Sequence, residues 1–286
     1  MDFIITTDTT ADLSKQYLED NKIDLLSLKY MIDDVTYDIE NELPDKEFYN
    51  KMREGAIPKT SQANPETAKE FFKKNIEKNK KDILHVGFSS GLSGTYDSAR
   101  VAAEEVMEEI PGIKIIVIDS LAASLGQGLL VHKAIKLQEE GKTIDEVAKW
   151  LEDNKLNLCH FFTVDDLIYL YRGGRVSKTS QVAAGVLNIK PVLHVDNEGH
   201  LVALSKTRGR KKSIKQLADM MEKRILPGET DVFISHGDCL EEAQGLADHI
   251  KERFGIEVGL LNYVGPTIGA HSGPGTIALF FLGSER

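Results

Sequence analysis

The sequence predicts an α/β protein of two domains: an N-terminal parallel-sheet, Rossmann-like domain and a C-terminal α/β domain with a mixed sheet. Three observations predict it. The chain has 286 residues, more than one core comfortably serves. Its first half alternates short apolar runs with segments of helical period, the pattern of parallel βαβ units. Its second half breaks that alternation, with several apolar runs of strand length in close succession. We place the boundary so that the domains are residues 1–156 and 157–286.

In order, residues 2–7 (DFIITT) read as a strand, and Asp8-Thr9-Thr10-Ala11-Asp12 as a turn rich in helix-capping groups. A short helix follows from Leu13 to about Asn21. Residues 24–42 alternate around Asp33-Asp34, a hairpin signal. Asp45 to Arg53 is helical and stops at Gly55. Pro58 to Pro65 brackets polar residues between prolines, which predicts an irregular loop. A charged helix runs from Glu66 to about Lys80. The run Ile83 to Phe88 is a buried strand, and it ends in Ser89-Ser90-Gly91-Leu92-Ser93-Gly94-Thr95 before a helix to Glu109. Ile113 to Ile118 is the next strand, ending at Asp119-Ser120. Helices over about 122–140 and 144–154 follow.

Beyond the boundary, strands are predicted over residues 158–163, 190–195, 201–206, 231–235, 257–264 and 276–282. Helices are predicted over 165–171, 177–186, 210–224 and 240–254. Their order in a sheet is not readable. In parallel sheets ligands sit beyond the carboxyl ends of strands. Asp8, Ser89 to Thr95 and Asp119-Ser120 all fall there.

Composition excludes some functions. The net charge of −10 argues against nucleic-acid binding, which needs a basic surface to displace counterions. The two cysteines, Cys159 and Cys239, are far apart and form no CxxC, which fits a reducing cytoplasm. The start of the chain lacks the pattern of a signal peptide. No apolar run is long enough to span a bilayer. The histidines form no HExxH or HxH, so no metal site is expected.

The serine loop is the first chemical candidate. Its glycines permit tight turns, and the helix after it starts with unpaired N–H groups and a favourable dipole for an anion. Ser93 and Thr95 add hydroxyls. A plain capped turn explains the same residues. A nucleophile elbow needs GxSxG, whereas Thr95 stands at the last glycine position. The phosphate-loop lysine is also absent after Gly94. The second candidate is Gly265 to Thr276, where glycines and prolines fix a loop around His271. A histidine there can donate to an anion or serve backbone carbonyls. Two basic stretches interrupt the acidic chain: Tyr171-Arg172-Gly173-Gly174-Arg175, and Lys206 to Lys212 with Arg208 and Arg210. They read as solvated surface or as a docking face for an acidic or nucleotide-handling partner.

Taken together, these segments resemble the DegV family. The similarity covers nearly the whole chain. It runs through the Asp8-to-Leu13 turn, Thr60-Ser61-Gln62, Ser90-Gly91-Leu92-Ser93-Gly94-Thr95-Tyr96, Asp119-Ser120 and Gly126-Gln127-Gly128. It continues through Leu170 to Arg175, Lys190-Pro191-Val192-Leu193 and Gly269 to Gly275. Two positions depart from the family pattern. Ala63-Asn64 precedes Pro65 where a proline usually follows TSQ directly, and Ser272 stands where a threonine is frequent after the histidine.

The resemblance implies a carrier, not a stand-alone enzyme. Such a protein binds one long-chain fatty acid and presents its carboxylate to a separate fatty acid kinase, which forms the acyl-phosphate. It implies that Ser61 and Ser93 hold the carboxylate, that Thr60 and the Gly94 N–H support them, and that His271 lies at the same site. No catalytic residue and no cofactor are implied. Arg172, Arg175, Arg208 and Arg210 are the expected partner-facing residues, and brief membrane contact would serve lipid exchange. The alternative is a Ser-dependent lipid esterase or thioesterase using Ser93 and His271. A third reading is a module that binds a phosphorylated ligand.

Overall fold

A computed structural model of the protein describes residues 3–176 and 188–286. The helix expected over 177–186 lies outside the described residues. The strands of the first half are β1 (Phe3–Asp8), β2 (Asp24–Leu26), β3 (Lys29–Ile32), β4 (Val35–Tyr37), β5 (Lys59–Ser61), β6 (Asp82–Gly87) and β7 (Ile115–Asp119). Its helices are α1 (Lys15–Asn21), α2 (Asp45–Arg53), α3 (Pro65–Asn79), α4 (Thr95–Glu109), α5 (Leu125–Glu139) and α6 (Ile144–Asn154). The second half adds β8 (Leu158–Thr163), β9 (Ile189–Val195), β10 (Leu201–Arg208), β11 (Phe233–His236), β12 (Leu260–Tyr263) and β13 (Ile277–Leu282). Its helices are α7 (Ile168–Arg172), α8 (Arg210–Arg224), α9 (Leu240–Phe254) and α10 (Pro266–Ser272).

The first sheet is parallel, in the order β2-β1-β6-β7. The second has six strands in the order β10-β9-β8-β13-β11-β12. It is mixed: β11 and β12 run parallel, and the other pairs are antiparallel. Both expected sheets therefore form. A small antiparallel sheet, β4-β3-β5, was only half foreseen. Its hairpin turns at Asp33 and Asp34, both at positive φ (52° and 60°), as a tight two-residue turn requires. Its third strand, β5, comes from the stretch expected to be irregular.

Local signals explain most element boundaries. Ser14 caps α1 by accepting from Tyr17 N, and Asn64 caps α3 by accepting from Thr67 N, with Pro65 in the first turn. Thr143 and Glu146 form a capping box on α6. The segment 266–272 departs from expectation, since it forms a helix and not an open loop. Pro266 suits a first helical turn, where its missing N–H costs nothing, and Gly273 at φ 80° leaves the helix in a conformation few side chains adopt.

Helix α5 lies between the two main sheets and touches β1 and β6 on one side and β8, β11 and β13 on the other. Leu125, Leu129, Leu130 and Val131 are fully buried there, and the first two turns of the helix are covered on every side. One apolar cluster accordingly runs from Leu84 and Val86 of the first sheet to Phe162 and Phe280 of the second. We propose the division at residue 156 on sheet membership, since it falls in the short connection between α6 and β8. Arg286 strengthens the junction by donating to the carbonyls of Leu121, Lys155, Leu158 and Asp196.

Candidate functional site

Three carboxylate or hydroxyl latches shape the strand ends of the first sheet. Asp8, at the end of β1, accepts from Thr10 N (3.0 Å), from the Thr10 hydroxyl and from Phe88 N (2.9 Å) at the end of β6. Burial raises its pKa above the ordinary carboxyl value. Asp119 accepts from Ser90 N (3.1 Å) and Leu121 N (3.0 Å). Ser89 donates to Gly199 O (2.9 Å) in the β9–β10 turn. Gly91 lies so close to that turn that a Cβ there would sit 2.5 Å from Glu198 O. The Asp8 and Asp119 motifs thus hold the serine loop in place.

A cavity of about 330 Å³ opens between the two main sheets, within the size range of small-ligand sites. Its body is mainly apolar, walled by Phe88, Leu92, Phe162, Leu170, Val195 and Phe280 among others. One end is polar, where Thr60, Ser61, Gln62, Ser93, Arg175 and His271 meet. Ser61 and Gln62 are exposed while they line it, so this end is reached from solvent.

The polar end draws on four segments. Strand β5 brings Thr60 and Ser61. The serine loop brings Ser93, whose hydroxyl bonds Thr95 Oγ1 (3.0 Å) and accepts from Thr95 N (3.2 Å). These two segments abut: Ala63 N donates to Thr95 Oγ1 (3.3 Å), and a Cβ on Gly94 would lie 2.6 Å from Gln62 Oε1. Helix α10 brings His271, whose Nε2 bonds Thr60 Oγ1 (2.7 Å). The turn after α7 brings Arg175, which donates to Leu92 O through Nε (3.3 Å) and Nη2 (3.1 Å), and to Gly173 O. Burial first, and the charge of Arg175 second, hold the His271 pKa down at about 4.

The residues Thr60, Ser61, Ser93, Gly94 and His271 are therefore brought together. The four arginines are not. Arg172 and Arg208 are exposed, at the ends of α7 and β10. Arg210 is ion-paired with Glu242 (2.9 Å) and faces Asp165 (3.7 Å), with its side chain 15% exposed. Arg175 is half-buried in the cavity wall instead of on a docking face. The reason is local: Gly174 at φ 71° turns the chain back after α7, so the two arginines of one basic stretch part company.

The pairing an esterase needs is not made. The Ser93 hydroxyl is engaged with Thr95, His271 is engaged with Thr60, and His271 Nδ1 has no partner among the described residues. No cluster that could hold a metal ion occurs among the described residues. Among the same residues, no helix is long and apolar enough to cross a membrane.

The family model described as "Uncharacterised protein, DegV family" matches residues 2–284. The chain belongs to the DegV family. A DegV domain-containing protein of Clostridium perfringens is 46% identical over 291 aligned positions, covering 99% of this chain and 98% of that one. A DegV family protein of Thermus thermophilus, whose solved structure is described as showing fatty acid binding, superposes with a TM-score of 0.86 at 30% identity. The alignment covers 99% of this chain and 100% of that one. A protein of Thermotoga maritima, described as revealing a fatty acid binding function, aligns at 31% identity and a TM-score of 0.84, covering 99% of each chain. DegV of Bacillus subtilis, described as a fatty acid binding protein, gives 28% and 0.84, covering 99% of this chain and 100% of that one.

Within this DegV chain, sequence reasoning missed three cavity residues. Ser124 lines the wall at φ 55° and ψ −147°, an unusual conformation for serine. Its hydroxyl donates to the buried Asp12 (2.5 Å) and bonds the Ser235 hydroxyl (2.9 Å). Arg175 carried a legible signal, a GG turn before an arginine. His160 carried none, since it sits in an apolar run that reads as an ordinary buried strand.

Proposed function

We propose that this protein binds one long-chain fatty acid in the cavity and presents its carboxylate to a separate kinase. The observation that carries the reading is the cavity's polarity: a mainly apolar body with a polar end reached from solvent. Fatty-acid binding by the solved relatives supports it. In this reading Ser61 and Ser93 donate to the carboxylate, and Thr60 and the Gly94 N–H support them. His271 lies beside the head group. Arg175 adds the positive charge that the reading from sequence had placed on a docking surface.

The energetics divide the work between tail and head. Burying about 14 methylenes contributes roughly 11 kcal/mol of gross transfer free energy, at about 0.8 kcal/mol each. Ordering the chain offsets several kcal/mol of that. Each charge-assisted hydrogen bond contributes about 1.5–3 kcal/mol. The tail supplies most of the affinity, and the hydroxyls decide which end faces outward.

The protein itself supplies no nucleophile in this scheme. A carboxylate oxygen of the bound acid attacks the terminal phosphorus of ATP held by the kinase. ADP leaves, and the acyl-phosphate departs on the carrier. Arg172 and Arg208, exposed and basic, are the residues of this scheme that meet the partner. Calorimetric titration of lipid-free protein with palmitic acid tests the binding step. One site with a negative heat-capacity change is expected, with the methyl ester binding more weakly. Absence of binding by the acid would sink the proposal.

A further inference from the structure

The floor of the cavity is the face of the six-stranded sheet, and its residues come in rows. Phe162 of β8, Ala278 of β13 and Ser235 of β11 lie side by side in register. His160 and Phe280 form the next row, two positions along each strand. Strand β13 starts just after α10 and runs away from it, so this second row is about 7 Å further from the His271 end. All five side chains line the cavity.

In that second row His160 is out of keeping with an acyl chain. It is 2% exposed, and its ring stands edge-on to Phe280, with centroids 5.7 Å apart. Gly126 of α5 makes the room: a Cβ there would lie 2.5 Å from His160 Cδ2 and Nε2. Neither ring nitrogen makes a hydrogen bond of good geometry among the described residues; the Leu158 backbone, two residues back, is the one group that approaches the ring as a partner, and it can serve only one of the two nitrogens. Burial holds the ring pKa well below its ordinary value, so the ring is neutral, with one N–H donor and one bare acceptor nitrogen. Buried polar groups are nearly always paired, because desolvation without a partner is costly. Ser272 Oγ, also buried against the cavity, lacks a partner among the described residues.

We propose that His160 makes the deep wall of the cavity selective for a long-chain fatty acid carrying a hydroxyl group on its chain. The inference rests on the fatty-acid reading and names the class of acid. The histidine χ2 torsion is broad, so a ring nitrogen can turn toward the chain. A hydroxyl at that depth donates to the bare nitrogen or accepts from the N–H. A chain without a hydroxyl offers the ring nothing, and the bare nitrogen stays unpaired. A site built to hydrogen-bond a hydroxyl discriminates against the analogue that lacks it.

The test is competition binding between stearic acid and a series of hydroxystearic acids that differ in hydroxyl position. With the wild-type protein, at least one isomer should bind about fivefold or more tightly than stearic acid, the gain of one net hydrogen bond. In His160→Phe that order should reverse, because the hydroxyl then loses water and gains nothing. His160→Gln, which keeps a donor and an acceptor, should retain part of the preference. The proposal is overturned if stearic acid outcompetes every isomer on the wild-type protein, a result that needs no variant to fold. It is equally overturned if the preference survives in His160→Phe. Binding of stearic acid alone removes only this inference; binding of neither kind of acid removes the fatty-acid reading with it.

Discussion

Thr60 and His271 stand 211 positions apart in the chain and share a 2.7 Å hydrogen bond at the polar end of the cavity. The bond ties an edge strand of the small sheet to a short helix that precedes the last core strand. The His271 ring is pinned from the other side by backbone. A Cβ on Gly173 would lie 2.2 Å from His271 Nδ1.

Gly173→Ala therefore tests the head site without touching it directly. Gly173 has φ −71°, so alanine brings no backbone strain. The methyl group instead displaces His271 and breaks its bond to Thr60. Fatty-acid affinity should fall about tenfold, or about 1.4 kcal/mol, with the melting temperature nearly unchanged. In a His271→Ala background the same change should cost little, since the two residues act through one contact. Equal losses in both backgrounds would contradict the geometry.

Ser93→Ala removes a hydroxyl proposed to bind the carboxylate. The expected loss is about 2 kcal/mol, or about thirtyfold in affinity. Stability should drop by only about 1 kcal/mol, from the acceptor lost to Thr95 N. In the presence of the kinase, acyl-phosphate formation should fail. Normal formation by this variant would remove Ser93 from the head site.

The pH dependence of His271 has a defined sign. Its folded pKa of about 4 lies below the ordinary 6.5, so the unfolded chain binds the proton first. The contribution to stability is present above pH 6.5 and is lost as pH falls toward 4. NMR titration of the ligand-free protein should give a His271 midpoint near 4, and a bound carboxylate should raise it. A midpoint at or above 6.5 in the ligand-free protein would show that the ring is not held as described.

Asp8→Ala tests the latch below the site. It leaves Thr10 N and Phe88 N, both served by Asp8, without their acceptor. Urea unfolding should show a loss of about 3 kcal/mol, the scale of orphaned buried donors together with a small cavity. The fraction that remains folded should still bind lipid, because Asp8 faces the strand ends and not the cavity. An unchanged midpoint would contradict the latch.

Much of this was legible in the chain because the relevant signals are local. Apolar runs and capping residues mark the strands and helices, and the hydroxyls after a buried strand mark Ser93, whereas Ser61 was marked by the family resemblance alone. What failed was nonlocal or ambiguous. The order of the six-stranded sheet depends on pairings that no short segment encodes, such as β8 lying between β9 and β13. The segment 265–276 was read as a loop because glycine and proline break structure in general. Here Pro266 opens a helix and Gly273 closes it. Arg175 shares its basic stretch with Arg172, and only the Gly173-Gly174 turn between them marks the one that turns inward. His160 lies in a strand whose residues are all buried, so its lack of a partner appears only once the sheet and α5 are assembled.

In the purified protein the cavity should hold a fatty acid by its carboxylate end. Mass spectrometry of the purified protein, once under native conditions and once after solvent extraction, tests it most directly. A one-to-one adduct that extracts as a long-chain fatty acid, and is depleted in Ser93→Ala, is expected. A protein that carries no lipid and refuses added fatty acid would contradict it.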